Sequence, residues 1–201
     1  MCSISSQTKE TCYVFPLYIY GDDGRRVNFS AEIWQKINSG LGEKTEPQEL
    51  FDYIYAVLHS PTYRERYKEF LKIDFPRIPY PADATSYHTL AALGAELRHL
   101  HLMHDSASWQ VQATYPQAGS NAVEKLERQD DRVYINAAQY FGGVDDEAWN
   151  FFIGGYQPAQ KWLKDRRGRM LDFHDIRHYE EIIHALKHTA SLMSEIGQLM
   201  Q

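Results

Sequence analysis

The chain has 201 residues, 43% of them apolar, and 27 acidic side chains against 21 basic ones give a net charge of −6. That length suits one domain, or two packed subdomains, and buries a core without disulfide or metal staples. The acidic balance argues against an isolated nucleic-acid binder, whose footprint is an excess of cations, but leaves local contact open because local charge outweighs the total. Cys2 and Cys12 make no disulfide framework. Residues 1–12 lack the apolar run of a signal peptide, and no stretch approaches the length of a membrane span, so a cytoplasmic protein is expected.

In chain order, residues 1–12 are polar and read as loose. Residues 12–20 are β-prone and stop at the turn Gly21-Asp22-Asp23-Gly24. Asn28 or Ser30 can cap a helix carrying Ile33, Trp34 and Ile37, ended by Gly40 and Gly42. Thr45 is the predicted N-cap of the next helix, with Pro47 in its first turn and Leu50, Phe51, Ile54, Val57 and Leu58 on its apolar face. His59-Ser60-Pro61 interrupts it: the residue before a proline leaves the α region, while proline suits the first turn of a new helix. Residues 63–73 alternate aromatics with charge, as a helix with one wet face does. Phe75-Pro76-Arg77-Ile78-Pro79-Tyr80-Pro81 is predicted as a rigid, extended strap, since three prolines fix φ and remove donors.

Asp83 or Thr85 then opens a long helix whose stripe is Leu90, Leu93, Leu97 and Leu100 and which fades after His104. Residues 105–120 carry no stripe and form a loop, with one strand expected near 109–111; loops of this length in compact domains are often functional. The runs 123–126 and 132–135 flank Arg128-Gln129-Asp130-Asp131 as a hairpin with a charged tip. Asp145 or Asp146 caps a short helix through Trp149, and Phe152-Ile153 is the expected pairing partner of the hairpin. After the Gly154-Gly155 break, Pro158 begins a helix. Asp172 caps the last one, with the stripe Ile176, Tyr179, Ile183, Leu186, Ala190 and Met193. The sum is α+β, predominantly helical, with a small antiparallel β-sheet in the second half. Its expected organisation is a loose N-terminus (1–12) and a single domain (13–201) made of a mainly helical part (13–104), a loop and β-hairpin part (105–157) and C-terminal helices (158–201).

Four groups of side chains invite a chemical reading. Lys161, Lys164, Arg166, Arg167 and Arg169 stand against only Asp165, directly after Tyr156 and Gln157. Gln reads adenine edges and Arg reads guanine, and the cations suit phosphate. The rival reading is a packing motif that buries Trp162 and Leu163, its charges solvating a turn. A second basic-aromatic group, Arg64, Arg66, Lys68, Lys72 and Arg77, is offset by Glu65, Glu69 and Asp74, which favours internal pairing. The loop 109–121 and the tip 128–132 offer Gln110, Gln112, Gln117, Asn121, Arg128 and Arg132 as base-edge candidates on a rigid scaffold. Among nine histidines, His184 and His188, with Glu180 or Glu181 near, give the best metal geometry. A zinc site needs a third or fourth convergent ligand, and i, i+4 polar pairs are ordinary helix-surface contacts, so no metal site is expected.

The apolar helix, Ser-Pro break, basic-aromatic helix and F-P-R-I-P-x-P strap are followed by Arg132-Val133-Tyr134-Ile135-Asn136 and Gln139-Tyr140-Phe141. The run Ile153-Gly154-Gly155-Tyr156-Gln157-Pro158-Ala159-Gln160-Lys161-Trp162-Leu163-Lys164-Asp165-Arg166 comes after these, and Phe15-Pro16-Leu17-Tyr18-Ile19-Tyr20 precedes them all. In this order the motifs resemble the C-terminal target-recognition region of type ISP restriction–modification enzymes and related adenine-specific DNA methyltransferases. A looser version recurs in type I specificity subunits. The resemblance implies double-stranded DNA as a partner, a methyltransferase catalytic domain in the same or a separate chain, and S-adenosylmethionine as the cofactor of that part and not of this chain. No N/D-P-P-Y/F loop, glycine-rich cofactor loop, P-loop or nuclease run is present, so the chain is expected to be non-catalytic by itself. Two other classes stay open: a protein-interaction or docking module of a larger restriction–modification assembly, using the stripe of the last helix, and a small metal-dependent hydrolase built on the histidines.

Overall fold

The computed structural model describes residues 2–3, 11–12 and 14–201. The expected loose terminus over 1–12 falls mostly outside that set. Within it the fold is α+β and mostly helical, and the chain packs as two compact units. The first comprises Met1–Leu58 and Tyr67–Ala95, the second His59–Arg66 and Glu96–Gln201.

In the first unit, β1 (Cys2–Ser3) pairs with β2 (Thr11–Cys12), and β3 (Tyr18–Gly21) forms an antiparallel hairpin with β4 (Gly24–Val27). The turn is the expected Gly-Asp-Asp-Gly, with Gly24 at φ +96°. The strand begins only at Tyr18, and its partner is not legible in the sequence because Gly24-Arg25-Arg26-Val27 has no apolar alternation. Arg25 instead lies over the Tyr18 ring at 4.3 Å. Ser30 occupies the N-cap position of α1 (Ala31–Leu41) without a side-chain capping bond, and Asn28 donates to the Pro16 carbonyl. Gly40 lies inside the helix; Gly42, left-handed at φ +74°, ends it.

Pro47 is the first residue of α2 (Pro47–His59), but Thr45 does not cap it. Thr45 is buried, its hydroxyl accepts from Trp34 Nε1 at 2.8 Å, and both its hydroxyl and its N–H donate to Asn38 Oδ1. Its hydroxyl and N–H are thus engaged by α1. The buried face of α2 is Leu50, Tyr53, Ala56 and Val57, while Phe51, Ile54 and Leu58 are half-buried. Ser60 breaks the chain as expected, and its hydroxyl accepts the Tyr63 N–H at the start of α3 (Pro61–Arg66). The helix predicted over 63–73 ends at Arg66, and only a 3-10 turn, Phe70–Lys72, follows. The chain passes from the second unit back to the first at this point.

The strap 75–81 is extended, outside any sheet or helix. It is anchored: Tyr53 donates its hydroxyl to the Pro79 carbonyl at 3.1 Å. Ile78, Pro79, Tyr80 and Pro81 wall a groove of ≈320 Å³ with Trp34, Ile37, Leu50 and Tyr53. Phe75 meets Phe15 edge-on at 5.5 Å, and Lys36 lies over Tyr80. Asp83, and not Thr85, caps α4 (Ala84–His101), accepting from Ser86 N and Oγ. These hydrogen bonds hold the Asp83 carboxyl below the usual carboxylate range. Leu90, Leu93 and Leu97 are buried. Helix α4 passes α2 at Gly94, where an added Cβ would lie 1.9 Å from the Asp52 carbonyl oxygen.

In the second unit the sheet order is β5 (Glu127–Gln129), β6 (Arg132–Tyr134), β7 (Tyr140–Phe141). The hairpin is there, shifted: its first arm is Glu127–Gln129 and not 123–126, and its tip is only Asp130-Asp131, with Asp130 at φ +53°. No strand forms at 109–111. A 3-10 turn, Ser106–Ser108, precedes that point, and Thr114 bridges to Gly142. Ile153 pairs with Tyr156 across Gly154-Gly155 and not with the hairpin, because the two-residue turn folds the segment on itself. Asp145 caps α5 (Asp146–Asn150) through the Ala148 N–H, and Pro158 opens α6 (Pro158–Lys164). Asp172 and Asp175 form a capping box on α7 (Phe173–Leu199). The core packs Val123, Val133, Ile135, Phe141, Leu163, Tyr179 and Ile183 together. Beyond Leu186 the buried stripe of α7 continues through Thr189, Leu192 and Ile196, and not Ala190 and Met193, so the face drifts around the helix. The stripe read as a docking face is therefore occupied within its own unit.

Two substitutions and one titration probe this packing. Gly94→Ala drives a methyl group into backbone and is expected to lower stability by about 3 kcal/mol in urea unfolding. Gly40→Ala, with open space around the new Cβ, should raise it by about 0.5–1 kcal/mol. His88 bridges Glu49 and Glu43 at 2.7 and 2.6 Å, and the bond to Glu49 first, then that to Glu43, holds its pKa above 6.5. A raised pKa means stability fully present below pH 6.5 and lost as pH rises through the folded value. An NMR titration should find the His88 midpoint above 6.5, falling toward it in Glu49→Gln.

Candidate nucleic-acid interface

The surface loops of the second unit hang on one buried amide. Gln139 is 2% exposed, and its side chain makes four hydrogen bonds. Oε1 accepts from the Asn121 N–H (2.7 Å) and from Asn136 Nδ2 (3.0 Å); Nε2 donates to the Gln117 carbonyl (3.0 Å) and to Asn121 Oδ1 (2.8 Å). Asn136 closes its own turn by accepting from the Ala138 and Gln139 N–H groups. Asn121, at φ +57°, also receives the Tyr115 hydroxyl and donates to the Leu171 carbonyl. Gly119 lies so close that a Cβ there would be 2.7 Å from Gln139 Cδ. The segment 115–122 is thereby braced against the β6–β7 connection. Asn121 belongs to this brace: its amide groups are already partnered internally. Sequence reasoning missed Gln139 and Asn136 as organising residues; an Asn three residues before a Gln between two strands was the available signal.

The basic segment separates into fixed and outward-facing cations. Arg166 stacks on the Trp162 ring at 3.5 Å, donates to the Trp162 carbonyl and meets Asp175 at 3.3 Å, so it positions α6 against α7. Leu163 is buried and Trp162 half-buried, as a packing motif requires. Lys161 pairs with Asp165 at 2.7 Å, and among the described residues Lys164 reaches only the neutral amide of Gln160. Arg169 is exposed, 3.7 Å from Asp175. Arg167 is exposed and without a side-chain partner among the described residues. The Ile153–Tyr156 turn leaves Phe152, Ile153 and Tyr156 exposed beside this segment, while Gln157 holds Asn150 at 3.4 Å.

The hairpin divides in the same way. Arg128 points inward, where it pairs with Asp146 and reaches the Val144 carbonyl; its buried Nε has no partner. Arg132 points outward over the Tyr140 ring at 4.9 Å. In the long loop Gln110 and Gln112 are exposed, and Gln112 accepts from Lys187. Arg177, which no sequence pattern singles out, ties this loop to α7 through the Ser106 and Trp109 carbonyls. Trp109 stacks on His184, whose other neighbour is the tilted His188 ring at 4.2 Å. Burial, then the charges of His188, Arg177 and Lys187, push the His184 imidazole down. Among the described residues no group of three or more His, Cys, Asp or Glu could hold a metal ion.

A family model described as the Type ISP C-terminal specificity domain matches residues 1–195. The chain belongs to that family. No curated protein matches it. Three solved structures share the fold of this specificity domain. A DrdV–DNA complex determined by cryo-EM has 21% identity and a TM-score of 0.69 over 90% of this chain and 21% of that one. A nuclease-deletion mutant of the Type ISP restriction–modification enzyme LlaGI, in complex with a DNA substrate mimic, has 20% identity and a TM-score of 0.64 over 90% and 14%. The ATP-dependent Type ISP restriction–modification enzyme LlaBIII bound to DNA has 17% identity and a TM-score of 0.65 over 89% and 13%. The specificity domain thus spans from 13% to 21% of the length of those chains.

Replacing Gln139 with Leu strands the Asn121 N–H, an Asn136 N–H and the Gln117 carbonyl. Thermal unfolding should report a loss of roughly 3 kcal/mol, and limited proteolysis should open the segment 115–122 first.

Proposed function

We propose that this chain is the DNA target-recognition region of an adenine-specific DNA methyltransferase or type ISP restriction–modification enzyme. It holds double-stranded DNA against a methyltransferase catalytic domain, in the same or a separate chain, and does not catalyse by itself. The family match across residues 1–195 carries this reading. The three structural neighbours, each a complex with DNA or a DNA mimic, support it. So does the separation of roles on the surface: Arg128 and Arg166 are held by the protein, while Lys164, Arg167, Arg169 and Arg132 face outward. Phosphate contacts position a duplex and base contacts specify it. In this reading Lys164, Arg167 and Arg169 take phosphate, with Lys161 available by exchange from Asp165. Tyr156 and Gln157 lie beside them, and Gln110, Gln112 and Arg132 face bases from braced loops.

S-adenosylmethionine serves the methyltransferase part. The two glycine pairs of this chain do not fit it: the turn at Gly142-Gly143 is covered by the backbone of 112–114, and Gly154-Gly155 follows no strand. The proposed setting is the cytoplasm; among the described residues no helix is long and apolar enough to cross a membrane.

Fluorescence anisotropy on duplex DNA tests the reading. Binding should weaken steeply with salt, and Lys164→Ala and Arg167→Ala should each lower the slope of log K against log salt by about one. Arg128→Ala should lower the melting temperature instead. Salt-independent binding, or none at any ionic strength, overturns the proposal.

A further inference from the structure

The outward face of the three-stranded sheet carries side chains that the proposed phosphate contacts do not use. Strand alternation sends Arg128, Val133 and Phe141, which are paired neighbours in register, toward the core. The other row, Glu127, Tyr134 and Tyr140, is also in register and faces out, with Gln129 opposite Arg132 beside it. Tyr134 and Tyr140 are half-exposed with ring centroids 5.1 Å apart, and the exposed Arg132 guanidinium lies over Tyr140. Next to the rings is an open cleft of ≈550 Å³ lined by Glu124, Lys125, Glu127, Gln129, Tyr134 and Asn136. Gln129 donates to Glu127, and Lys125 meets the same carboxylate at 3.5 Å, so these groups converge at the rim.

This composition selects its occupant. Lys125 and Arg132 are balanced by Glu124 and Glu127, and the adjoining turn adds Asp130 and Asp131, so the face has no attraction for a phosphate. It presents ring and guanidinium planes, on which any base can stack, with carboxylate and amide groups at the edge that match base amino and carbonyl groups. A base inside a duplex keeps both of its faces covered by neighbours, so only an unstacked base can use those planes. We propose that the outer face of β5–β6–β7 is a platform for an extrahelical DNA base, stacked on Tyr134 and Arg132, with Gln129 and Glu127 at its edge. The inference rests on the proposed DNA binding and adds to it a site distinct from the cationic segment around α6.

A duplex carrying a single bulged 2-aminopurine, compared with the same duplex fully paired, tests it. Anisotropy reports binding, and 2-aminopurine emission reports stacking. The full chain should bind the bulged duplex about tenfold more tightly than the paired one and quench the probe. The Tyr134→Ala/Tyr140→Ala pair should lose both effects while binding the paired duplex as before, and Tyr134→Phe/Tyr140→Phe should keep them; circular dichroism checks the fold of each. Normal duplex binding with no bulge preference, or an alanine pair that quenches like the parent, overturns the platform alone. No binding to either duplex overturns the DNA reading, and the platform with it.

Discussion

Four hydrogen bonds to one buried primary amide decide the shape of the surface that this domain presents. Gln139 offers two donors and two acceptor positions, and the protein meets all of them from two separate segments, one holding Gln117 and Asn121 and the other Asn136. A buried amide left half-satisfied would be costly, so the network holds as a unit. Asn121 and Asn136 extend it to Tyr115, Ala122 and Leu171. The loop that carries the exposed amides therefore has a fixed base, the rigid support on which binding loops are set.

Charge follows the same logic at a second level. In an acidic protein, a cation can serve the proposed DNA contact only where its own carboxylates leave it un-neutralised. Asp165 and Asp175 engage Lys161 and Arg166 closely and Arg169 only loosely. Trp162 holds Arg166 flat, and this lets a guanidinium act as part of the core boundary. What stays unengaged is a short outward row, modest in number, set by Lys164, Arg167 and Arg132.

Much of the architecture was legible where the chemistry is local. Ser60-Pro61, Asp83, Asp145, Pro158 and Asp172 mark their helix boundaries because proline and capping groups act within three or four residues. Thr45 misled for the opposite reason: its partners, Trp34 and Asn38, are eleven and seven residues away. The first arm of the hairpin was displaced because 123–126, with Val123 and Leu126 at its ends, looks more strand-like than Glu127-Arg128-Gln129, yet tertiary pairing chose the latter. The side chains of the candidate site show the same limit. Composition told that Arg128, Arg132 and Arg166 are cations; only the fold tells that the first and third point into protein and the second does not. The aromatic row of Tyr134 and Tyr140 escaped because alternation says which residues share a face, not which face meets water.

The strap held by Tyr53 has one further property. It is extended, solvent-facing and bordered by aromatic side chains, the profile of a segment that recruits strands from neighbouring molecules. Three of its seven backbone nitrogens, at Pro76, Pro79 and Pro81, carry no hydrogen, so no continuous ladder can grow along it. The same rings that stiffen the segment make it unfit as a template for fibrillar self-assembly, which lets the domain leave it uncovered.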